Sequence, residues 1–144
     1  MLRVMIAEDD LMIADMIEEV LIEHGYEVCG IARTVEQAVA LGRIHKPDLA
    51  VLDMRLAQGG LGTDIAAQLC HTHLGILYAT GNVTQVVLTA ADGDASIIKP
   101  YRSTDLLRAL DIVAGIIATG TASPPFPRGF NLLNKELLAQ EVVK

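Results

Sequence analysis

Short apolar runs alternate with longer segments of helical period along most of the chain. Residues 2–7 are apolar except for Arg3 and read as a first strand. Leu11, Ile13, Ile17, Leu21 and Ile22 recur at roughly helical spacing over 11–24, and Gly25 supplies a stop. Residues 26–32 read as a second strand. Thr34, three residues before Gln37, gives a capping-box pattern, with Val35, Ala38, Val39 and Leu41 on the apolar side of a second helix. Lys46-Pro47-Asp48 ends that helix. Leu49 to Leu52 is then a continuous apolar run that closes on Asp53, the pattern of a strand buried on both faces of a parallel sheet. Residues 57–63 form a glycine-bearing loop, and 63–73 a third helix. Residues 76–79 make a fourth strand, ending on Thr80-Gly81-Asn82. A weaker helix is predicted over 83–91, and a turn at Asp92-Gly93-Asp94. Residues 95–98 make a fifth strand, ending on Lys99-Pro100. Ser103 is the expected cap of a fifth helix to 118, with Leu106, Leu107, Leu110, Val113, Ala114 and Ile117 on its apolar side.

Strands alternating with helices in this way predict an α/β doubly wound, five-stranded parallel sheet with helices on both faces. Right-handed crossovers restrict the topology, and the flavodoxin-like order 2-1-3-4-5 is the expected one. It makes strands 1 and 3 neighbours, with the switch point between them. Residues 1–118 would form this domain. In the tail, 119–128 holds three of the five prolines and reads as a linker. Residues 131–143 read as a short helix with Leu133, Leu137 and Leu138 along one side and Asn131 as its cap. Such a tail is too short for a DNA-binding output domain. Both phenylalanines, Phe126 and Phe130, lie in it. It is therefore expected to pack back on the domain, or on a second copy to give a homodimer.

Composition narrows the classes. The chain is 51% hydrophobic and 20% charged, enough apolar content for a core. Its net charge of −7, with 11 Lys+Arg thinly spread, weighs against nucleic acid and against an anionic membrane surface. Aromatics are 3% and tryptophan is absent, so stacking platforms for bases are lacking. No apolar run approaches the ~20 residues of a membrane span, and the N-terminus lacks a secretory pattern. A cytoplasmic location is the expectation. Cys29 and Cys70 are isolated and read as reduced thiols. His71 and His73 would not share a helix face, so no metal site is expected there. His24 and His45, at helix ends, suit the helix dipole.

The candidate chemistry lies at strand ends. Glu8 and Asp9 follow strand 1, Asp53 ends strand 3, Thr80 ends strand 4 and Lys99 ends strand 5. In the predicted topology all open onto one edge of the sheet. Each has a local explanation: acids that cap and charge a helix, a turn hydroxyl, a solvated lysine. Asp10 is assigned to capping alone. Together, three carboxylates repel one another and call for a cation. Oxygen donors without histidine or cysteine suit Mg²⁺. A lysine and a hydroxyl across the site complete a place where a carboxylate can carry a phosphoryl group. The glycines at 57–63 lack the spacing of a phosphate-cradling loop.

The pieces M-I-A-E-D-D, V-L-D-M-R, Y-A-T-G-N and I-I-K-P-Y occur in an order that resembles a response-regulator receiver domain, the CheY-like family. The resemblance covers about residues 2–118. It implies that Asp53 accepts a phosphoryl group from a sensor histidine kinase or a histidine phosphotransfer protein. It implies Mg²⁺ held by Glu8, Asp9, Asp53 and the backbone carbonyl of Arg55, with Lys99 paired to the phosphate and a cis Lys99–Pro100 bond. Apart from Mg²⁺-dependent self-phosphorylation and slow autodephosphorylation, no enzymatic activity is expected. The implied role is a stand-alone signalling receiver with an unidentified downstream protein partner and no fused output domain. The chain departs from the family at Ser96, where an aromatic usually stands three residues before the lysine. Y-A-T-G is similar to the variant receivers with a Phe-Ala-Thr-Gly motif, which also lack that aromatic. The loop after Asp53 carries glycines in place of the usual proline. Arg55 and Asn82 hold positions that influence hydrolysis of the aspartyl phosphate in the family. Alternatives are a phosphate shuttle or sink and a phosphate-independent adaptor, the latter supported by Ser96. An FMN binder would need a Ser/Thr/Gly loop after strand 1, where three acids stand. A haloacid-dehalogenase-type phosphatase would need D-x-D there.

Overall fold

Which strands the sequence can bury on both faces decides the order of the sheet. In the computed structural model, which describes residues 1–69, 73–81 and 87–138, β3 (Leu49–Asp53) and β4 (Gly75–Thr80) are buried at every position. They lie at the centre, beside β1 (Arg3–Ala7). β2 (Glu27–Ala32), with its half-exposed pattern, forms one edge. β5 (Ala95–Ile98) follows β4, and the parallel strands take the expected order β2-β1-β3-β4-β5. The register pairs Ile6 with Val51, Leu52 with Tyr78 and Ala79 with Ile97, so the carboxyl ends of these strands finish on one level.

Helices cover both faces. α1 (Leu11–Glu23) and α4 (Ser103–Thr119) pack over Val4, Ile6, Val51 and Leu77 through Ile17, Leu21, Leu106 and Leu110. α2 (Val35–His45) and α3 (Gly62–Gln68) pack over Met5, Ala50, Leu52 and Tyr78 through Ala38, Val39 and Ile65. Thr34 caps α2 as expected, accepting from the Gln37 amide at 3.1 Å, and the Gln37 side chain returns a bond to the Arg33 amide at 2.8 Å. α2 ends on Lys46 in the left-handed region (φ 48°), with Pro47 behind it. Just past α1, the C-cap residue His24 pairs with Asp111 of α4 at 3.0 Å, and Tyr26 donates to the same carboxylate. His24 thus joins two helices as well as ending one.

Three expectations need correction. α4 begins at Ser103, but the capping position is Arg102 and no side chain caps it. The helix expected over 83–91 is absent from 87–91. There Asp92 accepts from both the amide and the hydroxyl of Thr89, at 2.8 and 3.2 Å, a local turn that competes with helix. The remainder of that segment, with Asn82, lies outside the described residues, as do Cys70 and His71; α3 ends at Gln68, short of the expected 73.

The third correction concerns the tail. The helix expected over 131–143 gives way to β6 (Phe130–Leu132), a strand antiparallel to β5, followed by a short 3-10 turn (Lys135–Leu137) capped by Asn134 in place of Asn131. The physical reason is the open edge of β5, whose backbone groups need partners. Leu132 and Ala122 close a small apolar cluster with Ile112 and Ile116 of α4. Arg108 donates to the carbonyls of Ser123 and Pro125 at 2.8 and 2.9 Å and holds the proline-bearing segment down. The tail packs back on the domain, as expected; residues 139–144 are outside the described part.

Candidate functional site

Of the residues singled out at strand ends, Glu8, Asp9, Asp53 and Lys99 meet through their side chains. Glu8, just beyond β1, is buried, and its amide donates to Ala32 at 2.9 Å. Its Oε2 accepts from the Asp10 amide at 3.1 Å, and its Oε1 from Lys99 Nζ at 3.4 Å. Asp53, at the end of β3, accepts from the same Nζ at 3.1 Å through Oδ1. One carboxylate oxygen each of Glu8, Asp9 and Asp53 lie within 4.8 Å of one another. Asp10 stands apart as the cap of α1, its Oδ1 accepting from Met12 and Ile13 at 3.0 and 3.3 Å.

Backbone geometry holds Lys99 in place. Its amide donates to the Thr80 carbonyl at 2.7 Å, and the Lys99–Pro100 bond is cis, as the resemblance implied. Thr80, at the end of β4, is buried at 5% exposure. Ser96 is buried on β5 opposite Tyr78 and Asn131. Arg55 is exposed, in a bridge with Leu61 across the loop after Asp53.

Charge sets the chemistry. Burial, reinforced by Asp53, pushes the Glu8 carboxyl up to about 7, against the opposing pull of the Asp10 amide and Lys99. Burial works to lower the Lys99 ammonium, but Asp53 and Glu8 outweigh it and its proton is held more tightly than usual. The pocket therefore carries more negative charge than its lysine balances, in a partly dehydrated setting.

A pH dependence follows. Unfolded Glu8 gives up its proton near 4.5, and the folded, metal-free protein near 7. The folded state therefore binds the proton more tightly between these values, and the metal-free domain loses stability as pH rises through that window. The Glu8, Asp9 and Asp53 cluster could hold a divalent cation, whose charge would offset this loss. The rise in melting temperature produced by Mg²⁺ should be larger at about pH 7.5 than at about pH 5.5. Equal shifts at both would contradict this account of Glu8.

Two features of the site were missed in the sequence. Gly62 opens α3 so close to Asp53 that an added Cβ would lie 2.5 Å from the Asp53 carbonyl oxygen. Among the glycines of that loop, this one is a packing requirement. Gly62→Ala should destabilise the domain by about 1–3 kcal/mol through overpacking against backbone, read as a lower urea midpoint with unchanged slope. An unchanged midpoint would refute the close approach. Tyr101 is the second. Burial, then the charges of Glu8 and Asp53, push its hydroxyl up to about 12, placing it within electrostatic reach of the acids. Its position two residues after Lys99 was the available signal.

The comparisons with known proteins agree with this geometry. The model for "Response regulator receiver domain" matches residues 4–111. The chain belongs to that family. The transcriptional regulatory protein PdtaR of Mycobacterium tuberculosis is 32% identical over 114 residues, covering 76% of this chain and 55% of PdtaR. The receiver thus spans about half the length of that relative. Chemotaxis protein CheY of Bacillus subtilis is 26% identical over 113 residues, with 76% of this chain and 94% of CheY covered. Among solved structures, a CheY-like receiver domain protein from Methanospirillum hungatei superposes with a TM-score of 0.75 at 26% identity, over 83% of this chain and 98% of that one. The response regulator PhyR from Brucella abortus superposes with a TM-score of 0.64 at 28% identity, over 83% and 52%. This receiver therefore has the flavodoxin-like α/β fold of two-component response regulators, extended by one antiparallel strand.

Proposed function

We propose that this receiver carries its signal as a phosphoryl group on Asp53. The observation that carries the reading is the Lys99 ammonium set between Asp53 and Glu8, at 3.1 and 3.4 Å, with Asp9 completing the acid cluster. A buried carboxylate at the end of a central strand, oriented through Oδ1 by Lys99, can attack phosphorus through an oxygen. The donor is a phosphohistidine on a sensor histidine kinase or a histidine phosphotransfer protein. An Asp53 oxygen bonds to phosphorus, the P–N bond breaks, and its electron pair returns to the imidazole nitrogen, which ends protonated. Lys99 follows the charge onto a phosphate oxygen, and the Thr80 hydroxyl donates to another.

The donor set fits a hard divalent cation: carboxylate oxygens of Glu8, Asp9 and Asp53, clustered and under-neutralised, with no nitrogen or sulfur ligand among them. Mg²⁺ there, with the Arg55 carbonyl as a further ligand, supplies the positive charge that phosphoryl transfer requires. Beyond this transfer and slow hydrolysis of the acyl phosphate, the reading assigns no enzymatic turnover. It places the protein in the cytoplasm, where phosphohistidine donors are made; among the described residues no helix is long and apolar enough to cross a membrane.

Incubation with acetyl phosphate and Mg²⁺ tests this. An increase in intact mass of one phosphoryl group, lost when Mg²⁺ is chelated, is expected. Absence of any adduct, under conditions that label a known receiver, would favour the phosphate-independent adaptor instead.

A further inference from the structure

We propose that the segment 122–133 is a detachable strap, closed over the β5 edge in the unphosphorylated protein and loosened when Asp53 carries a phosphoryl group. The inference rests on the phosphoacceptor reading of Asp53. One short run of backbone connects the two places. The Ile98 amide donates to the Gly129 carbonyl of the strap at 3.1 Å. The next residue, Lys99, donates its amide to Thr80 at 2.7 Å and its ammonium to Asp53 at 3.1 Å. A phosphoryl group on Asp53 moves the target of that ammonium outward from the carboxylate by the length of the new bonds. Lys99 and Thr80 follow it, and Ile98 is pulled with them against its partner in the strap.

The strap is built to come away. Its strand is three residues long and its pairs with β5 are Ala95–Leu132, Ser96–Asn131 and Ile97–Phe130. Of its apolar side chains, Ala122 and Leu132 are fully buried, while Phe126 stacks on Phe130 with ring centres 5.1 Å apart and is 37% exposed. The remaining grip is the Arg108 guanidinium on two carbonyls and the Leu133 amide on the Asp94 carbonyl at 3.0 Å. Two glycines in the left-handed region shape it: Gly120 at φ 79° precedes it at the end of α4, and Gly129 at φ 77°, within it, lies over the Ile98 backbone. The strap also answers the question that Ser96 raises. With a small side chain buried opposite Asn131, there is no ring to rotate on β5, and the change passes through strand pairing.

Amide hydrogen exchange on the full chain tests the proposal, with intact mass read on the same samples. The comparison is acetyl phosphate with Mg²⁺ against acetate with Mg²⁺. In the labelled protein, the amides of Ile98 and Leu133 should lose about tenfold or more of their protection while those of Val51 and Leu77 keep theirs. A mass adduct with unchanged protection at Ile98 and Leu133 would overturn the strap and leave the phosphoacceptor reading standing. No adduct would overturn that reading and the coupling with it. Arg108→Ala, remote from the acids, should loosen the same two amides about tenfold without any phosphoryl donor. If Leu133 stays as protected as in the parent protein, the segment is not a separable unit.

Discussion

Asp53→Asn should give a folded protein that acquires no phosphoryl adduct from acetyl phosphate at any Mg²⁺ concentration. The amide nearly matches the carboxylate in volume, so the packing at the end of β3 is kept. What is lost is the anionic nucleophile and one negative charge of the acid cluster that could hold a cation. The fold should survive for an electrostatic reason as well. Asp53 is one of the groups that push the Glu8 carboxyl upward. Without its charge, Glu8 ionises more readily and retains Lys99 as partner. The melting temperature without metal should therefore stay within a few degrees of the parent protein, a stability change of about 1 kcal/mol or less. The stabilisation by Mg²⁺ should shrink. A variant labelled as fast as the parent would place the acceptor elsewhere.

Lys99→Met should cost both stability and transfer. It removes the ammonium that bridges two buried carboxylates, at 3.1 and 3.4 Å. Breaking a buried pair by deleting one partner costs about 3–5 kcal/mol. Here the lysine side chain is 29% exposed and Glu8 can protonate, so a loss of about 1–3 kcal/mol is the better figure. Because Lys99 opposes the upward shift of Glu8, its removal drives that carboxyl higher still. Labelling should slow about 10²–10³-fold, the range for a lost charge-stabilising donor. A rate within about threefold of the parent would show that Lys99 is a structural counter-ion only. Lys99→Arg should restore stability better than rate, since the planar guanidinium does not reproduce a point charge between the two carboxylates.

The sequence was most legible where burial on two faces left no choice. Leu49 to Leu52 could only be a central strand, and that placed Asp53 at the switch point. The order of strands followed from handedness, and with it the meeting of Glu8, Asp9, Asp53 and Lys99. The tail was misread because Leu133, Leu137 and Leu138 suggest a helical side, while the deciding fact is tertiary: the β5 edge and the apolar Ile112 and Ile116 face of α4 are both covered by Phe130 and Leu132. The 83–91 segment was misread for a local reason, since Thr89 and Asp92 satisfy each other in a turn. Gly62 was hidden because a close backbone approach leaves no periodic trace. Tyr101 was quoted within a motif yet given no role, since its nearness to the acids depends on how the chain turns after Pro100.

The site of the phosphoryl group tests the central claim most directly. Labelled protein can be treated with borohydride, which reduces an acyl phosphate to an alcohol and turns an aspartyl phosphate into homoserine. Digestion and tandem mass spectrometry then locate the change. The account predicts homoserine at position 53 in a Mg²⁺-dependent amount and at no other acid. Homoserine at position 9 or 10, or a phosphoryl group that survives on a serine, threonine or histidine, would contradict it.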